Sequence, residues 1–277
     1  MILNNFTTQK EWRNSLYYRF FTKKIYSSDN IDIINYFGEK TCFQYFDFQL
    51  NENDLKLLNK LNKRNILRFR YINKNSYVFK TLNNNFNLKI TDEWESPVIE
   101  IRKGMFNNYC DSKSNNFKRL IKKCNYLKKN LEIKKANRNN YYDLWKDVLL
   151  VDQNSWKYKK QSDMMNLGYE HISYILMGYN KNIIPDLLVA YKDKKPIAYS
   201  LLLFYDNKYY AVKWGATESG RINNAGIICL LSQIERLSNK KDIYIDLWGR
   251  NNKIYDRLRT STITRLYFMI EKNGNKN

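Results

Sequence analysis

Residues 211–226, AVKWGATESGRINNAG, hold the clearest opportunity for chemistry in this sequence. They read as a strand that opens into a loop, and an apolar helical period begins directly after Gly226. A helix start of this kind exposes backbone N–H groups at the positive end of the helix dipole, which makes a receptor for phosphate. Arg221 can meet phosphate oxygens through paired donors, and Gly226 permits close backbone approach. An ordinary surface loop with Asn223 or Asn224 capping the helix fits the same residues.

Other reactive side chains are sparse. His171 is the only imidazole, and it sits in a helical run with Ile172, Tyr174 and Ile175. Its reference pKa suits a base, yet the run predicts a structural or surface role. Cys42, Cys110, Cys124 and Cys229 are widely spaced and form no paired motif, so with one His a transition-metal centre is not expected. All four are predicted to be small buried apolar residues, as suits a reducing compartment.

The elements that must hold the loop are legible from periodicity. In the carboxy-terminal half, residues 131–135 suggest a strand, 139–151 a helix and 168–177 a second helix. Strands at 183–191, 196–205 and 208–215 are separated by turns short enough for an antiparallel meander. Ile227, Leu230, Leu231, Ile234 and Leu237 then mark a helix, followed by a strand at 243–247, a helix at 251–258 and a strand at 264–270. The order predicts an α/β plan with covered sheet faces.

The amino-terminal half is expected to form a small mixed lobe. It has helical segments at 11–24 and 54–62 and strands at 41–50, 68–72, 76–82 and 86–90. Between the halves, Phe117, Leu120, Ile121, Cys124 and Leu127 recur at helical spacing among Lys118, Arg119, Lys122, Lys123, Lys128 and Lys129. This predicts a basic amphipathic helix. The expected division is a lobe at 1–112, a basic connecting helix at 113–130 and a catalytic lobe at 131–277.

A chain of 277 residues with a net charge of +21 lies far from the modest charge that solubility requires. An acidic partner is implied: tRNA, an acidic carrier protein, a nucleotide-bearing cofactor or an anionic membrane surface. No apolar run reaches the length needed to cross a bilayer, so a cytoplasmic place, with peripheral membrane contact allowed, is expected.

The order and spacing resemble the GCN5-related N-acetyltransferase (GNAT) superfamily, in particular its two-lobed branch of Fem-type aminoacyl transferases and acetyltransferase domains associated with polysaccharide or cellulose biosynthesis. Arg221, Asn224 and Gly226 match the superfamily's pyrophosphate loop, with Asn224 in place of its first glycine. Asn tolerates the left-handed conformation such a turn needs. Also matching are Asn154, Ser155, Trp156 and Lys157 after a helix, Lys195, Pro196, Ile197 and Ala198 at a turn into a strand, and Asp246, Leu247, Trp248 and Gly249 at a strand end.

The resemblance implies a GNAT-like, mainly antiparallel sheet flanked by helices, in two lobes with the amino-terminal one degenerate. It implies direct acyl transfer to an amine, from acetyl-CoA, a longer acyl-CoA or a carrier-protein thioester, or from an aminoacyl ester on tRNA, without a metal. By this resemblance Trp214, Arg221, Asn224, Ala225 and Gly226 hold the donor, while Asn154, Trp156 and Lys157 line the acceptor cleft. Asp246 orients the acceptor or takes its proton, and Tyr255 protonates the departing thiolate. Two rivals stay open: a nucleic-acid-binding protein using the basic helix and its aromatic neighbours, and a structural protein that binds an acidic carrier or a membrane face.

Overall fold

The computed structural model describes the backbone of residues 24–27, 32–36 and 39–43, and residues 50–159 and 184–275 apart from 138, 206 and 248. The elements begin with β1 (Lys24–Ser27), β2 (Asp32–Tyr36), β3 (Glu39–Phe43), α1 (Glu52–Asn62), β4 (Leu67–Asn73), α2 (Tyr77–Asn85) and β5 (Phe86–Ile101). They continue with α3 (Phe106–Asp111), α4 (Asn115–Lys128), β6 (Glu132–Lys135), α5 (Tyr141–Gln153), α6 (Trp156–Lys159), β7 (Ile184–Lys192), β8 (Lys195–Tyr205) and β9 (Lys208–Ala216). The last are α7 (Glu218–Ile222), α8 (Ala225–Ser238), β10 (Ile243–Asp246), α9 (Lys253–Leu258) and β11 (Ser261–Asn275). The helices expected at 11–24 and 168–177 fall outside the described residues, except that Lys24 opens β1.

The chain forms two compact units, residues 1–96 with 262–277, and residues 97–261. In the first, β1 to β3 form an antiparallel run, β3 pairs parallel with β4, and β4 pairs antiparallel with β11. Leu58, Leu67, Val78, Leu82 and Leu266 pack around Phe69 and Phe268, whose rings stack at 5.1 Å. A reciprocal cap starts α1: Asn51 Oδ1 accepts from Asp54 N–H, and Asp54 accepts from Asn51 N–H.

One expected strand is a helix. Residues 76–82 fall in α2, because Ser76 Oγ accepts the Phe79 N–H at 3.1 Å, and Val78 and Leu82, one helical turn apart, are the buried pair. The strand expected at 86–90 is the start of the much longer β5.

In the second unit the strand order is β5-β10-β9-β8-β7-β6. Neighbours are antiparallel except β9 and β10, which run parallel. The β7–β8 turn carries Asp193 and Lys194 at φ 51° and 63°, the paired left-handed residues of a two-residue hairpin. Successive side chains of β8 reach opposite faces. Ala198 and Leu202 pack with residues of α8, whereas the Tyr199 hydroxyl donates to Asp152 of α5 at 2.7 Å. Helices thus cover both faces of a mainly antiparallel sheet, a mixed α/β fold.

Candidate functional site

The site arises where two parallel strands part. β9 and β10 pair only at Ile245↔Tyr209 and Asp246↔Tyr210, and β9 then continues to Ala216 paired with β8 but no longer with β10. A cavity of about 690 Å³ occupies the opening, with Val212 to Ala216 on one wall and Asn252, Ile254, Tyr255 and Arg257 on another. Among the described residues its charged lining residues are Lys213, Arg221 and Arg257, all cationic.

The loop expected between β9 and α8 contains a short helix. Thr217 starts α7 by accepting the Gly220 N–H on Oγ1 at 3.1 Å. Gly220 has no room for a side chain, since a Cβ there would run into the Ile197 carbonyl oxygen. Sequence reasoning gave Gly220 no role, because its partner lies on β8 and leaves no mark in the local pattern.

Asn224 adopts φ 52°, ψ 24°, the left-handed conformation, and among the described residues no side chain caps α8. Among the described residues the first N–H groups of α8 therefore have neither intrahelical nor side-chain acceptors, and Asn224, Gly226 and Ile227 line the cavity. Arg221 is exposed and lies 3.7 Å from Glu218, a pair one turn apart in solvent that restrains it weakly. Ala225 is fully buried and packs with Ala198 and Cys229.

Gly226 meets protein. A Cβ there would lie 3.1 Å from Trp214 Cε3, so the missing side chain lets α8 seat against the indole. Trp214 Nε1 donates to the Tyr255 hydroxyl at 3.0 Å. Tyr255 is half-buried on α9, whose start is fixed by Asn252 Oδ1 accepting the N–H groups of Ile254 and Tyr255. Burial pushes the Tyr255 phenol above its usual range, and the Trp214 hydrogen bond offsets part of the rise.

The expected acceptor residues separate. Trp156 is 47% exposed and lines the cavity. An isolated bridge from Ser155 to Thr217 holds its segment beside α7. Asn154 turns away and donates from Nδ2 to the Leu150 carbonyl at 2.8 Å, closing the end of α5. Lys157 follows Trp156 in α6. Asp246 ends β10 with 2% of its surface exposed, opposite Val98 and Tyr210, and is not among the cavity's lining residues.

Sequence reasoning placed Leu120 only on the apolar face of the basic helix and assigned no role to Lys213, Asn252 or Arg257, yet all four line the cavity. Asn252 carries a local signal, a capping residue just before an apolar helical turn. Among the described residues, no group of three or more His, Cys, Asp or Glu is placed to hold a metal ion. Nor is any helix among them long and apolar enough to cross a membrane.

No protein-family model matches the chain, and no curated protein matches it. Solved structures do. The carboxy-terminal domain of a provisionally assigned lysylphosphatidylglycerol synthetase from Agrobacterium fabrum superposes with a TM-score of 0.62 at 9% identity, covering 93% of this chain and 86% of that one. FemX superposes with a TM-score of 0.60 at 9% identity, over 97% of this chain and 93% of its own. A conserved protein of unknown function from Bacteroides thetaiotaomicron gives 0.59 at 11% identity, over 96% and 91%. At these identities the likeness speaks for the fold alone, a mixed α/β fold with a mainly antiparallel sheet that this chain shares with both proteins.

Proposed function

We propose that the protein is an N-acyltransferase that moves an acyl group from a coenzyme A or carrier-protein thioester directly to an amine. The observation that carries this reading is the parting of β9 and β10 over a cavity whose charged lining residues, among the described residues, are all cationic, beside a helix start that no described side chain caps. The N–H groups of α8 and the Arg221 guanidinium suit the pyrophosphate of such a donor. The acyl end would lie between the parted strands, near Trp214 and Tyr255. Positioning the two reactants, protonating the departing sulfur and stabilising the oxyanion account for the chemistry without a covalent enzyme intermediate.

Tyr255 is the residue proposed to protonate the thiolate, and burial favours it by keeping the phenol protonated. Asp246 is buried away from the cavity lining, so its proposed acceptor-side role would run through an intermediary such as a water. Trp156 remains the proposed acceptor-side wall.

Arg221→Ala should raise the dissociation constant for coenzyme A about tenfold in titration calorimetry, the scale of one charge-assisted contact. Unchanged affinity in the folded variant would remove Arg221 from the donor site. A second reading, a Fem-type transferase drawing on aminoacyl-tRNA, is favoured by the superposition with FemX over nearly the whole chain. Native mass spectrometry after gentle purification separates the two readings, because retained coenzyme A and retained tRNA differ greatly in mass.

A further inference from the structure

Gly226, Trp214 and Tyr255 belong to one run of contacts. The first turn of α8 meets the six-membered ring of Trp214, where a Cβ on Gly226 would come within 3.1 Å of Cε3 and 3.3 Å of Cζ3. The indole Nε1–H lies 3.0 Å from Tyr255 Oη, with the ring centroids 6.4 Å apart. Both side chains line the cavity.

The chemistry of an indole fixes the direction of that hydrogen bond. Nε1–H only donates, so Tyr255 Oη must accept. A phenolic oxygen that accepts one hydrogen bond keeps its own proton to give, and among the described residues nothing accepts it. The hydroxyl proton is therefore left for whatever acceptor enters the cavity.

We propose that Trp214 is a positioning residue for proton delivery: its Nε1–H holds the Tyr255 oxygen so that the phenolic proton is presented to the donor's leaving atom. This rests on the acyl-transfer reading above. In the step itself the amine nitrogen forms a bond to the acyl carbon, and the carbon–sulfur bond breaks with its electron pair on sulfur. Sulfur takes the proton of Tyr255, and the proton released by the amine returns to the phenolate through solvent. The indole keeps its own proton throughout. As Tyr255 gives its proton to the sulfur, its oxygen gains negative charge and becomes the acceptor of a charge-assisted hydrogen bond, so the bond to Trp214 strengthens toward the transition state. Because Gly226 backs the indole, the helix start proposed to hold the donor also braces the group that protonates it.

The test is a double-mutant cycle on thiol release from acetyl-coenzyme A with a primary amine acceptor. Trp214→Phe retains a ring against Gly226 and removes the N–H. It should lower kcat about tenfold with KM for the donor nearly unchanged, the pattern of an interaction made mainly in the transition state. In a Tyr255→Phe background the same change should cost nothing further. Gly226→Ala, which crowds the indole without deleting it, should give a milder fall in kcat that also disappears in the Tyr255→Phe background. An unchanged kcat in folded Trp214→Phe, or an equal loss in both backgrounds, overturns the role of Trp214 while leaving acyl transfer in place. Full turnover by Tyr255→Phe overturns proton delivery through this pair, and absence of thiol release by the wild-type protein overturns the acyl-transfer reading itself.

Discussion

Gly220 places the tightest steric demand on the site, although it bears no side chain. It must pass the Ile197 carbonyl so that Thr217 can start α7 and deliver Arg221 to the cavity. Gly220→Ala should destabilise the protein by about 1–3 kcal/mol, because backbone has to move to admit the methyl group. A lower urea midpoint at constant slope would register this, and an unchanged midpoint would mean that the β8–α7 contact yields easily. The site's glycines therefore differ in what they protect: Gly220 lies against rigid backbone, Gly226 against a side chain. Sequence alone made Arg221, Asn224 and Gly226 stand out, because a strand, a polar loop and a helical period follow one another locally. It could not reveal that Gly226 faces Trp214, nor that Asp246 is buried, since those facts depend on residues distant in the chain. Of the cysteines, Cys124 and Cys229 are buried as expected and Cys110 is half-buried. Burial pushes the Cys124 and Cys229 thiols up to about 11 and about 12.

Elements with a strong period were the most readable. The basic amphipathic pattern forms α4, with Ser114 as its cap, Phe117 and Cys124 buried, and Leu120, Ile121 and Leu127 packed beside them. The β7–β8–β9 meander was equally plain, since its turns are short and polar. Residues 76–82 misled because Tyr, Val, Phe and Thr favour strands, and the cap that decides the matter is a single serine. Ser76 is 1% exposed, so Ser76→Ala leaves the Phe79 N–H without its acceptor and should cost about 1 kcal/mol. Chemical denaturation measures that loss, and restored stability in Ser76→Asp would assign it to the cap. No loss in Ser76→Ala would mean that the buried Val78 and Leu82 hold α2 unaided.

For the whole molecule, the net charge of +21 remains the feature that a small donor explains least. Arg119, Lys122 and Lys123 are exposed on α4, while Leu120 of the same helix reaches the cavity. Lys118→Glu with Lys122→Glu should weaken binding of tRNA or an acidic carrier protein by about tenfold at low salt and flatten its salt dependence. Free coenzyme A should be affected less. A salt series by fluorescence anisotropy for the macromolecules and calorimetry for coenzyme A makes the comparison. Equal and negligible losses would assign the charge to a solvated face of a Lys-rich chain. The division of the chain also has a consequence for biosynthesis. Residues 97–261 are contiguous, whereas the core of the other unit draws Leu266, Phe268 and Ile270 from the far end, and Arg68 and Met269, neighbours across its sheet, are 201 residues apart in sequence. On the ribosome, then, the half that emerges first is the half that finishes last: its sheet waits for β11 while the site-bearing unit already has all its strands.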